Sequence, residues 1–362
     1  MTMNSALTFT AIAEAGGGGF WMSPDRIGEP ELYRLWTAMT SSFDLVTPEI
    51  SIIKPGEPKK PRSPPPPPPL PPSPSVPKGG ANSTRFGKIL SPSMGRSRNW
   101  AGASVPANKG RRFTRIGGRW THPHSPDEPK RGKSSTRMSV WIGLGGSERW
   151  ANSMPQMGSE YGWNPGEGVV NNLWCQWWLG NRSTDGYRAR AVGGIGCNAG
   201  DDLLCMLTVV DPKTVEFYFK NQTTGRLGGV RASSRFDVIG SSAEWVVERP
   251  VKPSGEHPPA PDVLGDPALA LLRYGIWDLP MFSECTMTEC GARLGTAGDF
   301  RAQTLAHADT IDLIAQASDC SRIYQQLEAD VLSRNAGTNK PHTINHHHWL
   351  DGQIDLSLVV TQ

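Results

Sequence analysis

The sequence predicts an all-β protein, an antiparallel sandwich or barrel, on three observations. Between Asn99 and Val247, apolar runs of strand length are punctuated by Gly, Asn, Pro and Ser. In "TVEFYFKN" (214–221), Val215, Phe217 and Phe219 face one way while Glu216, Tyr218 and Lys220 face the other. Helical periodicity is nearly absent over the same span.

In chain order, residues 1–54 form an N-terminal region expected to serve as a pro-segment. It holds one short helix, "EPELYRLWTAM", with an apolar face of Leu32, Leu35 and Trp36. Residues 55–97 are rich in proline, cannot build a packed core, and are expected to be a disordered linker in extended polyproline II. Within them, 61–77 also fits a ligand for SH3-like or WW-like proline-recognising domains. Residues 98–318 carry the strands: "MSVWIGLGG", "NLWCQWWLG", "YRARAVGG", "DLLCMLTVVD", "TVEFYFKNQTTG", "AEWVVERP" and, after a proline-rich break at 251–267, "MFSECTMTE" and "TIDLIAQ". Residues 319–362 combine a helical insertion, with Ile323, Leu327 and Val331 at spacing four, and a last strand, "GQIDLSLVV".

Composition removes several function classes. A net charge of +3 from 37 basic and 34 acidic residues is too mild to argue for nucleic acid, and the basic run from Lys109 to Arg137 reads as solvated loops and strand exteriors. No apolar run reaches the roughly 18 residues of a membrane span. The N-terminus lacks a basic leader, so it makes a poor signal peptide, while sequons at Asn82, Asn181 and Asn221 are compatible with secretion. Six cysteines without a CxxC spacing speak against zinc or redox chemistry and permit disulfides without proving any. GxSxG, HExxH and Walker A signatures do not occur. Adjacent His346, His347 and His348 on a strand point to opposite faces, so no metal site and no cofactor is expected.

What remains is aromatic and acidic. Of thirteen tryptophans, Trp141, Trp174, Trp177, Trp178 and Trp245 fall in strand candidates. In "WCQWW" neighbours must face both ways, which sets some rings on an open sheet face suited to an extended polymer, peptide or sugar. In "AEWVVERP", Glu244 and Glu248 share one face roughly 13 Å apart. That is too far to act together on one bond, so either needs a partner from another strand.

The order "NWAG" (99–102), "GRWTHP" (118–123), "WIGLGG" (141–146), Gln156 before Met-Gly, "WCQWW" (174–178), "GDDLLCMLTV" (200–209), "NQTTG" (221–225), "AEWVVERP" (243–250) and "FSECTMT" (282–288) resembles the eqolisins, the glutamic peptidases, over roughly 98–315. The resemblance implies a concanavalin A-like sandwich of two roughly seven-stranded sheets. It also implies an acid endopeptidase that is secreted by fungi, made as a proenzyme and expected to be an extracellular monomer acting on polypeptides. The implied catalytic pair is Gln156 and Glu248, with Trp141, Trp174, Gln176 and Trp178 binding substrate. Two positions depart from the family pattern: Gly145 replaces an aspartate and Gln176 a glutamate. The alternative function is a non-catalytic sandwich that binds glycan or peptide through the same aromatic groove.

Overall fold

The computed structural model describes residues 7–14, 19–53, 95–97, 100–107, 110–124, 135–146, 153–179, 188–250, 277–280, 282, 285–296, 299–304, 309–315, 342–343, 345–350 and 353–358. The strands are β1 (Leu7–Ile12), β2 (Asp44–Leu45), β3 (Glu49–Ile52), β4 (Gly95–Ser97), β5 (Trp100–Pro106), β6 (Phe113–Thr121), β7 (Thr136–Leu144), β8 (Met154–Asn164), β9 (Gly168–Trp178) and β10 (Arg190–Gly193). They continue with β11 (Asp202–Asp211), β12 (Thr214–Asn221), β13 (Arg226–Ser234), β14 (Ser242–Glu248), β15 (Cys285–Thr296), β16 (Asp299–Thr304), β17 (Asp309–Ala315), β18 (His342–Thr343), β19 (Asn345–Leu350) and β20 (Gln353–Leu358). Among the described residues one α-helix, α1, spans Pro30–Thr40.

Two sheets pack face to face, as expected. The first runs β1-β13-β12-β11-β6-β15-β20-β19 and the second β18-β17-β5-β14-β7-β8-β9-β10-β3. With the strands that pair off these paths, each has ten strands among the described residues. Pairing is antiparallel except where β2 meets β13 and β4 meets β17. Alternation decides which side chains enter the core: Val215, Phe217 and Phe219 of β12 meet Ile142, Val140, Trp177, Trp245 and Val247 of the second sheet. The polar face of the same strand carries Glu216, Tyr218 and Lys220, yet none is in solvent.

They are covered by the N-terminal region. Residues 7–14 and 19–53 are interwoven with the sandwich: β1 pairs with β13 at the edge of the first sheet, and β3 pairs with β10 at the edge of the second. The expected helix lies across the outer face of the first sheet. There Leu32, Leu35 and Met39 bury with Leu204, Met206, Tyr218 and Leu227. Gly117 and Gly291 are cross-strand neighbours, and a methyl on Gly117 would come within 2.3 Å of Leu35. Their missing side chains admit the helix. The described part of the N-terminal region thus completes one edge of each sheet. The linker core, the 320–335 helix expectation and the 61–77 ligand lie outside the described residues.

Three further expectations meet their surroundings here. Within the basic run, Arg115 and Arg137 are buried, Arg137 pairs with Glu160, and the part-exposed Arg119 pairs with Asp202 and Glu289. Asn221 is buried and its amide bonds Gly196 O and Asp201, which removes it as a glycan acceptor in the folded chain. No helix among the described residues is long and apolar enough to cross a membrane.

His122, at the end of β6, is fully buried, with Nε2 2.9 Å from Asn171 Oδ1. Burial pulls it from 6.5 down to about 4, against weaker pulls upward from Asn171 and Asp201. A histidine depressed by folding supports the fold fully above its unfolded pKa and withdraws that support as pH falls towards the folded one. Between pH 6.5 and about 4 the loss reaches roughly 3 kcal/mol. His122→Gln is expected to flatten this acid-side decline, as read by urea midpoints at both ends of the window. Identical declines in the two proteins would refute it.

Candidate active site

The outer face of the second sheet carries a row of side chains ordered by strand register. Glu244 of β14 is level with Gly143 of β7, Gly143 with Gln156 of β8, and Gln156 with Gln176 of β9. Residues in register share a face, so Glu244, Gln156 and Gln176 form one polar row. At about 4.8 Å per strand, the Glu244 and Gln156 backbones stand about 10 Å apart, close enough for both side chains to reach one small molecule between them. Gly143, lacking a side chain, lets the Trp141 ring edge and Gln156 close over the strand between them. A methyl there would lie 3.0 Å from the Trp141 ring and 3.2 Å from Gln156 Cβ.

Each polar member is held. Gln156 is buried and its Nε2 donates to Gln176 Oε1 at 2.6 Å. Its own Oε1 is buried with no hydrogen-bond partner among the described residues. Glu244 is fully buried, and its Oε1 accepts from Gly146 N at 2.9 Å and from Ser242 Oγ. A Cβ on Gly146 would meet Met154 Sδ at 2.4 Å and the Trp100 ring at 3.3 Å, so a side chain there would require both to move. Gly145, where the resemblance placed an aspartate in other chains, has φ +91°, a conformation that disfavours any side chain. The departure at Gly145 thus follows from the backbone path between β7 and β8.

Aromatic rows flank the polar one. On one side lie Val246, Trp141, Gly158 and Trp174 in register; on the other, Met154 pairs with Trp178. Trp141, Met154, Trp174 and Val246 form a cluster apart from the main core, with Ile53, Trp100, Trp178 and Ala189 packed against it. Trp141 and Trp174 are buried walls, whereas Gln176 and Trp178 are partly open. Trp177 turns into the core, where its Nε1 donates to Ser153 Oγ at 2.9 Å.

Glu248 stands one row further out. It is level with Ser139, which is level with Glu160 and then Asn172. Its Oε2 accepts from Trp141 Nε1 at 2.8 Å. Burial pushes the Glu160 carboxyl up, with Arg137 and Asn172 pulling it back in part. The expected substrate residues Trp141, Trp174, Gln176 and Trp178 thus gather around Gln156, but the carboxylate level with Gln156 is Glu244. Glu248 lies four residues down β14, roughly 13 Å away along the strand. Sequence reasoning saw that both glutamates share a face; only pairing register ranks them. No cluster of three or more metal-ligating side chains occurs among the described residues.

The sequence signature described as "Peptidase A4 family" matches residues 98–331. A comparison with curated proteins finds no match. Among solved structures, scytalido-glutamic peptidase with a transition state analogue inhibitor is similar at 15% identity and TM-score 0.48, over 72% of this chain and 98% of that one. SCP-B, an eqolisin in complex with the tripeptide Ala-Ile-His, gives 15% and 0.45 over 72% and 98%. Aspergilloglutamic peptidase from Aspergillus niger gives 17% and 0.41 over 62% and 99%. With its signature matched across more than half its length, the chain belongs to the Peptidase A4 family, the eqolisins or glutamic peptidases.

Proposed function

We propose that the protein is an acid endopeptidase in which Gln156 and Glu244 activate one water against a peptide bond. The observation that carries this reading is the register Glu244–Gly143–Gln156, two polar side chains level with each other across a residue that has none. The reaction uses Glu244 in its ionised form. Its carboxylate takes a proton from the water as the oxygen attacks the scissile carbonyl. The buried Gln156 Oε1 accepts the other water proton and fixes the attack direction. One Gln156 amide proton is committed to Gln176; the second donates to the developing oxyanion. Protonated Glu244 then returns its proton to the leaving amine, and the free carboxylate and amine products separate.

This reading moves to Glu244 the catalytic role first expected of Glu248. Glu248, held by Trp141, then serves to fix the ring that walls the dyad. Extracellular location, processing from a proenzyme and a monomeric state remain part of the proposal through the family. The test is cleavage of a denatured protein by the purified chain across pH 2 to 7, with pepstatin present to exclude aspartic peptidases. Cleavage confined to the acid side supports the reading. Groove binding of peptide or glycan without turnover, lost on Trp178→Ala, would favour the non-catalytic alternative; Trp177→Ala would not discriminate, because that ring is core.

A further inference from the structure

We propose that Ile53, with Ala189, forms an apolar subsite at the end of the groove and selects an apolar substrate side chain about four residues from the scissile bond. The inference rests on the peptidase reading above for the identity of the ligand. It extends that reading to a residue from the N-terminal region.

The groove has a direction. Its polar row is bounded by Trp141 and Trp174 on one side and by Met154 and Trp178 on the other, so the trough runs across the strands rather than along them. Beyond Gln176, β10 pairs with β9 through Ala191 and Trp174, and β3 pairs with β10 through Ser51 and Ala191. Continuing both registers by two residues places Ala189 beside Gln176 and Ile53 beside Ala189. The hydrogen bond from Ile53 N to Ala189 O at 3.2 Å confirms the alignment. The row that begins at Glu244 therefore ends at Ile53, which is partly buried against the aromatic cluster.

Three strand spacings separate Ile53 from Gln156, about 14 Å, and an extended peptide covers that in about four residues. Polar side chains give way there to a methyl and a branched aliphatic group, with Trp178 and Trp174 beside them. A substrate side chain settling on this end would be desolvated by apolar atoms, and a carboxylate there would lose its hydration without a partner.

The test uses the full chain and a peptide set in which one position at a time, up to about five residues either side of the scissile bond, changes from Leu to Asp. The wild type is expected to prefer Leu about tenfold in kcat/KM at one outlying position, and Ile53→Ala to erase most of that preference while leaving short peptides unaffected. Ile53→Lys should turn the preference towards Asp. Identical preferences at every position in wild type and Ile53→Ala would overturn the subsite. Glu244→Gln supplies a separate readout, since peptide binding followed by tryptophan fluorescence does not need turnover. A Leu preference in binding that depends on Ile53, in a protein that never cleaves, supports the subsite and defeats the peptidase reading. Cleavage without any Ile53-dependent preference does the reverse.

Discussion

Glu244→Gln is expected to lower kcat/KM on a peptide substrate by about 10³-fold or more, while Glu248→Gln in the same assay stays close to wild type. The substitution at 244 keeps size and shape, and its amide oxygen still accepts from Gly146 N and Ser242 Oγ, so the loss reports chemistry rather than folding. What disappears is the group that takes a proton from water and gives one to the leaving amine. Gln156→Ala should cost a comparable factor, about 10²- to 10³-fold, by removing the water's second anchor and a donor to the oxyanion. At position 248, glutamine still accepts from Trp141 Nε1, so the wall of the site survives. Measurements belong across the acid side of the pH 2 to 7 range, with thermal melts as a control. A dead Glu248→Gln beside an active Glu244→Gln would restore the pairing first expected and remove the one proposed here.

The sandwich was legible because its signals are local. Alternation in β12 and turn residues between runs determine strand and face without knowledge of partners, and the apolar stripe of Leu32 and Leu35 marks α1. Gln156 and the tryptophans of β9 came from motif order, which also needs no register. The choice between Glu244 and Glu248 did not yield, because it depends on which residue of β7 opposes each one, and strand register is set by tertiary packing. The role of residues 7–14 and 19–53 escaped for a related reason. β1 and β3 are short edge strands whose identity comes from the edges they complete. Glu216 and Lys220, on the face opposite Val215 and Phe217 by alternation, are 0% and 1% exposed, since a second layer covers that face.

That second layer carries the other large prediction: residues 95–362 expressed without the N-terminal region are expected not to fold, whereas a shed pro-segment would leave a folded enzyme. Glu29 meets Arg293 Nε at 2.6 Å in a buried ion pair. Glu216 accepts from Arg231 at 2.6 Å and from Phe20 N at 3.4 Å. Lys220 Nζ donates at 2.7 Å to both Ala38 O and Ser41 O at the end of α1, where a cation also complements the helix dipole. Arg115 donates to Met22 O at 3.0 Å and to Gly19 O, and burial pulls its guanidinium down to about 10. Breaking one buried charge pair costs about 3 to 5 kcal/mol, and a whole domain holds only about 5 to 15. Stripping the layer also exposes Leu204, Met206, Tyr218 and Leu227. The arginine and lysine partners would gain water in return, but the apolar face would gain only a cost. Circular dichroism and urea unfolding of the truncated chain measure the outcome. As a complement, a protease site placed between residues 54 and 94 and cut after folding should leave both pieces together on a sizing column with activity intact. A cooperatively folding, active 95–362 fragment would show instead that the N-terminal region is dispensable.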